Sequence, residues 1–165
     1  MADTPITIRP YKCGDEEGIN KLFNGIFHKS RTLEEWNWKF RDNPAIKDLS
    51  EWIAIAERDG RIVGHYTSLA TEMKYDNRVV KAGQPVDTMI DPSAKAGIQL
   101  IGKLYDLHVK YNNGIALFGF GFPNEAAYMV GKKFLRYKDL GEMVQLFKRL
   151  SLRTALKRRF KRCPN

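Results

Sequence analysis

The stretch Val86-Asp87-Thr88-Met89-Ile90-Asp91-Pro92-Ser93-Ala94-Lys95-Ala96-Gly97-Ile98-Gln99-Leu100-Ile101-Gly102-Lys103-Leu104 changes its period midway. Val86, Met89 and Ile90 have strand character and run into Asp91-Pro92, a natural turn former. Beyond a short Lys-Ala-Gly turn, Ile98, Ile101, Leu104, Tyr105 and His108 recur at spacings of three and four. That spacing predicts a helix with one apolar face and a first turn near Gly97. The first N–H groups of a helix have no partner within it, and with the helix dipole they favour an anion such as a phosphate or pyrophosphate. Such joints also occur throughout α/β proteins without binding anything, so the reading depends on the rest of the chain.

Downstream, Asn112-Asn113-Gly114 stops the helix. The nearly continuous apolar run Ile115 to Phe122 then predicts a buried strand parallel to a neighbour, which makes the whole a βαβ unit. Pro123-Asn124 ends the run, Glu125 opens a short helix through Lys133, and Met143 to Phe147 predicts a last strand.

Upstream, the period is two. Trp52-Ile53-Ala54-Ile55-Ala56 and Ile62-Val63-Gly64-His65-Tyr66 flank Arg58-Asp59-Gly60-Arg61, a strong hairpin signal. Asp76-Asn77 marks another turn, and Val79 to Ile90 supplies further strand, with Gly83 and Pro85 suggesting an edge or a bulge. Ile6-Thr7-Ile8-Arg9 reads as a first strand ending at Pro10. A helix follows from Asp15 through Phe27, with Ile19, Leu22, Phe23 and Ile26 on one face and three acids on its first turn. Thr32 and Glu35 match a capping box for a second helix that ends before Asn43-Pro44.

The chain has 165 residues and 43% hydrophobic content, enough for one sizeable core. It shows no leader pattern and no apolar run of spanning length. Cys13 and Cys163 have neither disulfide-framework nor metal spacing, so no metal site is expected and a cytoplasmic location is the default. The net charge of +9 is not spread over the chain: eight of the 28 basic residues lie from Lys148 onward with no acid among them, leaving 20 basic against 19 acidic residues upstream. We expect a domain over residues 1–150 and a basic tail or truncated linker over 151–165.

Taken in order, these elements resemble a GCN5-related N-acetyltransferase (GNAT) domain from Ile6 to about Leu150. The likeness is carried by Ile6-Thr7-Ile8-Arg9-Pro10, by Ile62-Val63-Gly64-His65, by Asp87-Thr88-Met89-Ile90-Asp91-Pro92 and by Phe122-Pro123-Asn124-Glu125-Ala126-Ala127. The resemblance implies an α/β fold: a mixed, mostly antiparallel central sheet flanked by helices, with a parallel βαβ unit at the cofactor site. It implies transfer of an acetyl group from acetyl-CoA, as co-substrate, to a primary amine by direct attack on the thioester. Met89 and Ile90 would lie beside the pantetheine arm of acetyl-CoA, on a bulged strand that splays from its neighbour. Lys95, Ala96, Gly97, Ile98 and Gln99 would grip the pyrophosphate, in a turn one residue shorter than the family pattern and with Ala96 in place of a glycine. Asn124 would complete the cofactor site.

The family's helical tyrosine falls on Gly131, which makes Tyr128, one turn after Asn124, the candidate catalytic residue. Its central-strand carboxylate falls on Gln84, leaving Asp87, Asp91, Glu72 and His65 as ionisable alternatives for the base. The segment His28 to Asp48, with Arg31, Trp36, Trp38 and Arg41, is the expected wall for the acceptor, and an acidic or phosphorylated acceptor would suit its arginines. A second reading is a catalytically weakened acyl-CoA-binding or regulatory module. Leu152, Leu156 and Phe160 stand among basic residues in the 148–162 tail, a pattern suited to nucleic acid or an anionic membrane.

Overall fold

A computed structural model describes residues 4–144 and 146. Its sheet has the order β1-β2-β3-β4-β5, formed by Thr7–Pro10 (β1), Ile53–Arg58 (β2), Arg61–Tyr75 (β3), Arg78–Ile90 (β4) and Phe118–Gly119 (β5). Neighbours pair antiparallel from β1 to β4, and β4 pairs parallel with β5. The helices are Asp15–Phe27 (α1), Leu33–Trp36 (α2), Gln99–Asn112 (α3) and Glu125–Phe134 (α4). This is the mixed, mostly antiparallel architecture expected from the sequence.

Turn chemistry sets the register of the long strands. Asp59-Gly60 joins β2 to β3 and Asp76-Asn77 joins β3 to β4, with all four residues at positive φ. Two consecutive positive-φ residues match the twist of the strands they connect. α1 has the predicted bounds, and Thr32 and Glu35 form the predicted capping box. After α2 the backbone widens into a π turn over Asn37–Arg41.

Alternation along β2 divides the core. Ile53 and Ile55 join Ile19, Trp36, Phe40 and Met89 on the face covered by α1 and α2. Ala54 and Ala56 join Tyr66, Leu100, Leu104 and Leu135 on the other face, under α3 and α4. Ile19, Trp36, Phe40 and Leu104 are fully buried, each contributing about 1.5–3 kcal/mol of transfer free energy. The small alanines let α3 approach closely: a Cβ at Gly64 would meet Ala56 Cβ at 3.0 Å and a Leu104 methyl at 3.2 Å.

Two expectations are corrected. The run Ile115 to Phe122 is not a buried strand: only Phe118–Gly119 is regular, and Leu117, Phe118 and Phe122 are exposed. It lies at the end of the sheet, where among the described residues no further strand covers it, so its aromatics are not enclosed as an interior parallel strand would be. From Val79 to Ile90 the expected choice between an edge and a bulge resolves as a bulge in the β3–β4 pairing, in a strand that lies between β3 and β5. Met143 and Val144 belong to no strand, and the rest of that predicted strand falls partly outside the described residues. The 151–165 tail lies outside them altogether. No helix among the described residues is long and apolar enough to cross a membrane.

Candidate active site

β4 and β5 pair over a short stretch only. Leu117 N–H donates to Lys81 O at 2.8 Å and Phe120 N–H to Gly83 O at 2.9 Å, and the two strands pair only at Ala82 and Gly83. Strand peptides point alternately to either side, so the peptide of residue 85, like that of residue 83, faces β5. Residue 85 is proline, which has no N–H to donate. The ladder therefore ends after Gly83, and β4 continues to Ile90 with its β5-side edge unpaired among the described residues.

Two residues further on, β4 bulges. His65 of β3 faces Met89, whereas Thr67 faces Val86, so β4 carries one extra residue across this interval. Asp87 absorbs the extra length at φ 48°, a left-handed conformation that aspartate tolerates better than most residues. The expectation of a bulged strand beside Met89 and Ile90 is thus met, although the bulge sits at Asp87 and not at Gly83 or Pro85.

The bulge gathers four polar side chains. Arg31 Nη1 donates to Asp87 Oδ2 at 2.6 Å, and Lys39 Nζ donates to Asp87 Oδ1 at 2.9 Å. The Asp87 carbonyl can only accept, so His65 Nδ1 donates to it at 2.8 Å. Arg31 is further locked by Asn20 Oδ1 at 2.6 Å and by the Phe23 ring, 3.6 Å from its guanidinium carbon to the ring centre. Burial pushes His65 down to about 4, keeping it neutral near pH 7. Arg31 and Asp87 side chains are 8% and 9% exposed, whereas Lys39 is 25% exposed. Lys39 is therefore the most accessible of the four.

At the far end of β4, Asp91 accepts from Ser93 N–H at 2.9 Å and from Ser93 Oγ–H at 2.7 Å. These bonds, with Arg61 nearby, hold its carboxyl below the usual carboxylate range. Asp91 thereby caps the short 3-10 turn Pro92–Ala94. Lys95 at φ 49° and Gly97 at φ 65° then reverse the chain into α3. Among the described residues no side chain caps the first turn of α3; Leu100 N–H donates to Gly97 O at 3.3 Å and Ile101 N–H to Ile98 O at 3.0 Å, so an anion there would draw on the N–H groups ahead of these two. Lys95, Gly97, Ile98 and Gln99 are exposed on this turn, while Ala96 packs its methyl against the α3-side core. The alanine in place of a glycine thus spends its side chain inward. Met89 is buried beside the bulge and Ile90 is half-buried.

The remaining predicted residues lie on α4. Asn124 is its N-cap, its side chain accepting from Ala127 N–H at 2.9 Å. Tyr128 is 40% exposed and its hydroxyl donates to Asp139 at 3.3 Å. At Gly131 the space for a side chain is filled by the Tyr137 ring. The Tyr137 hydroxyl pairs with Tyr66 at 2.9 Å, and burial raises both phenols above their ordinary range.

Of the four ionisable alternatives for a base, only Asp87 and His65 meet at the bulge. Glu72 lies away from the bulge, opposite Lys81 in the register of the β3–β4 hairpin, and Asp91 is occupied as a cap. In the expected acceptor wall, Arg31 reaches the bulge, Arg41 binds Glu16 at 2.7 Å, Trp36 is core and Trp38 is 77% exposed. Lys39 and Asn20 carried no signal in the sequence, since only the fold brings them to Asp87. No group of histidine, cysteine and carboxylate side chains among the described residues is arranged to hold a metal. Two shallow hollows, of about 370 and 380 Å³, are lined by no residue of β4, β5 or the 95–99 turn.

No curated protein sequence matches the chain. Its backbone is similar to that of glucosamine-6-phosphate N-acetyltransferase from Arabidopsis thaliana, at TM-score 0.64 and 18% identity, over 87% of this chain and 99% of the other. It is similar to a Trypanosoma brucei acetyltransferase at TM-score 0.64 and 16% identity, over 87% and 100% of the two chains. A predicted acetyltransferase with acetyl-CoA from Clostridium acetobutylicum gives TM-score 0.65 and 14% identity, over 87% and 96%. Identities this low speak to the fold alone. The family model described as acetyltransferase (GNAT) domain matches residues 7–129, a span that holds the bulged strand, the turn into α3 and the start of α4. The chain belongs to the GNAT acetyltransferase family.

Proposed function

We propose that this protein transfers an acetyl group from acetyl-CoA to a primary amine. The observation that carries this reading is the edge of β4 beyond Gly83, unpaired among the described residues, bulged at Asp87 and followed, after the Pro92–Ala94 turn, by a first turn of α3 that no side chain caps. An extended thioester arm fits beside such an edge, and a diphosphate fits the N–H groups of such a turn. Acetyl-CoA, when bound, supplies the activated acyl group.

The residues divide the remaining work. Met89 and Ile90 line the arm with backbone, and Lys95 adds a cation to the turn that runs to Gln99. Asn124 holds the start of α4 in place and so positions Tyr128, which donates a proton to the departing thiolate. Asp87 is the accepting group at the bulge, oriented by Arg31 and His65 toward an incoming amine. The acceptor approaches from the α1–α2 face, past Lys39 and Trp38.

Thermal denaturation with and without acetyl-CoA, followed by release of free CoA thiol over a panel of amines, tests the proposal. A ligand present at 100 times its dissociation constant adds about 2.7 kcal/mol, so a clear rise in Tm is expected, with thiol release on at least one amine. A rise without turnover on any amine would favour the binding-module reading. No rise at millimolar acetyl-CoA would overturn the cofactor assignment.

A further inference from the structure

We propose that Lys39 is itself an acetyl acceptor: the fold presents its amine to the Asp87 carboxylate, at the bulge of β4, on the stretch whose β5 side is unpaired among the described residues. This rests on the reading of that strand edge as an acetyl-CoA site. The wide turn Asn37–Arg41 carries Lys39 over the α1–α2 face, with Nζ 5.2 Å from the centre of the Phe40 ring and 2.9 Å from Asp87 Oδ1. Because Arg31, Asp87 and His65 are nearly or fully enclosed, an acyl donor reaching the bulge meets Lys39 first. The proton acceptor that any attacking amine requires is already in contact with this one.

The other lysines among the described residues lack this setting. Lys81 Nζ donates to the Ala45 carbonyl at 2.7 Å, and Lys132 pairs with Asp139 in solvent. Among the described residues, Lys39 is the only lysine in an ion pair with a carboxylate of β4.

The step balances without a further reagent. The Lys39 ammonium gives one proton to Asp87, and the neutral amine attacks the thioester carbonyl carbon. The C–N bond forms, the C–S bond breaks, and the second proton lost by nitrogen goes to the thiolate, giving CoA and acetyl-lysine. Asp87 then returns its proton to solvent. The product has lost the Lys39 cation, leaving Asp87 Oδ1 open and Arg31 as its remaining cationic partner. Self-acetylation would therefore uncover the carboxylate for an incoming amine.

The test is peptide mass mapping of the full chain after incubation with acetyl-CoA, beside samples given acetyl phosphate or acetyl-CoA plus excess desulfo-CoA. Binding of acetyl-CoA is followed separately by thermal shift. Intramolecular placement predicts that Lys39 is acetylated at least about tenfold faster than the median exposed lysine, at a rate independent of protein concentration and suppressed by desulfo-CoA. Asp87→Asn should slow Lys39 selectively, and the desulfo-CoA arm decides the matter if that variant fails to fold. A thermal shift with unmodified Lys39 overturns this proposal and leaves the cofactor reading standing. Equal labelling of Lys39 and surface lysines, by either donor, also overturns it. Neither shift nor labelling overturns both.

Discussion

Arg31 and Asp87 stand 56 positions apart in sequence and 2.6 Å apart in space. Their pairing pins the loop between α1 and α2 onto the bulge of the central strand. Both side chains are more than nine-tenths enclosed, so removing one partner strands a buried charge, a loss of about 3–5 kcal/mol. Lys39, a quarter exposed, can turn to solvent instead, and a pair of that kind contributes about 1 kcal/mol or less. Urea denaturation should therefore rank Asp87→Asn and Arg31→Met as severe and Lys39→Met as mild. Equal losses for Lys39→Met and Arg31→Met would show that the carboxylate depends on both cations alike.

The two buried histidines set an acid limit. Burial holds both His65 and His108 near 4, against an ordinary 6.5. The unfolded chain binds protons more readily through this window, so stability is full above about pH 6.5 and falls as the pH drops toward 4. Each histidine should account for roughly 2 kcal/mol lost by pH 5 and roughly 3 kcal/mol by pH 4. Denaturation measured at pH 7 and pH 5 should show this loss, and His108→Gln should reduce it by about half. An unchanged pH dependence in that variant would assign the acid limit to other groups.

The elements legible in the sequence were those fixed locally. Asp59-Gly60, the Thr32–Glu35 box and the acidic first turn of α1 each act within a few residues, and each is found where the pattern puts it. The bulge was legible only as an irregularity, because a left-handed aspartate depends on His65, Arg31 and Lys39 arriving from three other segments. Lys39 gave no sign for the same reason: a lone lysine between Trp38 and Phe40 acquires meaning only through the π turn that aims it at Asp87. The run Ile115 to Phe122 misled because apolar continuity reports composition, whereas its exposure follows from its place at the end of the sheet.

Gly97 offers a test of the cofactor turn separate from catalysis. Its φ of 65° costs a side-chain-bearing residue about 1–2 kcal/mol, and no atom within 3.4 Å opposes a Cβ there. Gly97→Val should lower Tm modestly while removing the shift induced by acetyl-CoA. Tyr128→Phe should keep that shift and slow turnover, by about 10²-fold or more if its proton is used in the step. Retention of the full shift in Gly97→Val would remove this turn from the cofactor site.

Gly131 and Tyr137 form the joint that closes α4 against the sheet. A Cβ on Gly131 would lie 2.5 Å from Tyr137 Cδ2, closer than carbon atoms approach. The ring has little room to retreat: Tyr137 N–H donates to Gly131 O at 3.0 Å, and its hydroxyl pairs with Tyr66. Alanine ordinarily favours a helix over glycine by about 1 kcal/mol, while overpacking costs about 1–3 kcal/mol, and here the clash with a tethered ring should prevail. Gly131→Ala should therefore lower stability, and Tyr137→Phe should lower it by about 1 kcal/mol through the lost hydrogen bond. In Tyr137→Ala the ring is gone, so adding Gly131→Ala to that background should be neutral or stabilising. The reversal of sign between backgrounds, read by urea denaturation, is the signature of direct contact. Additive losses in the double variant would mean that Gly131 is required by its own backbone and not by the ring beside it.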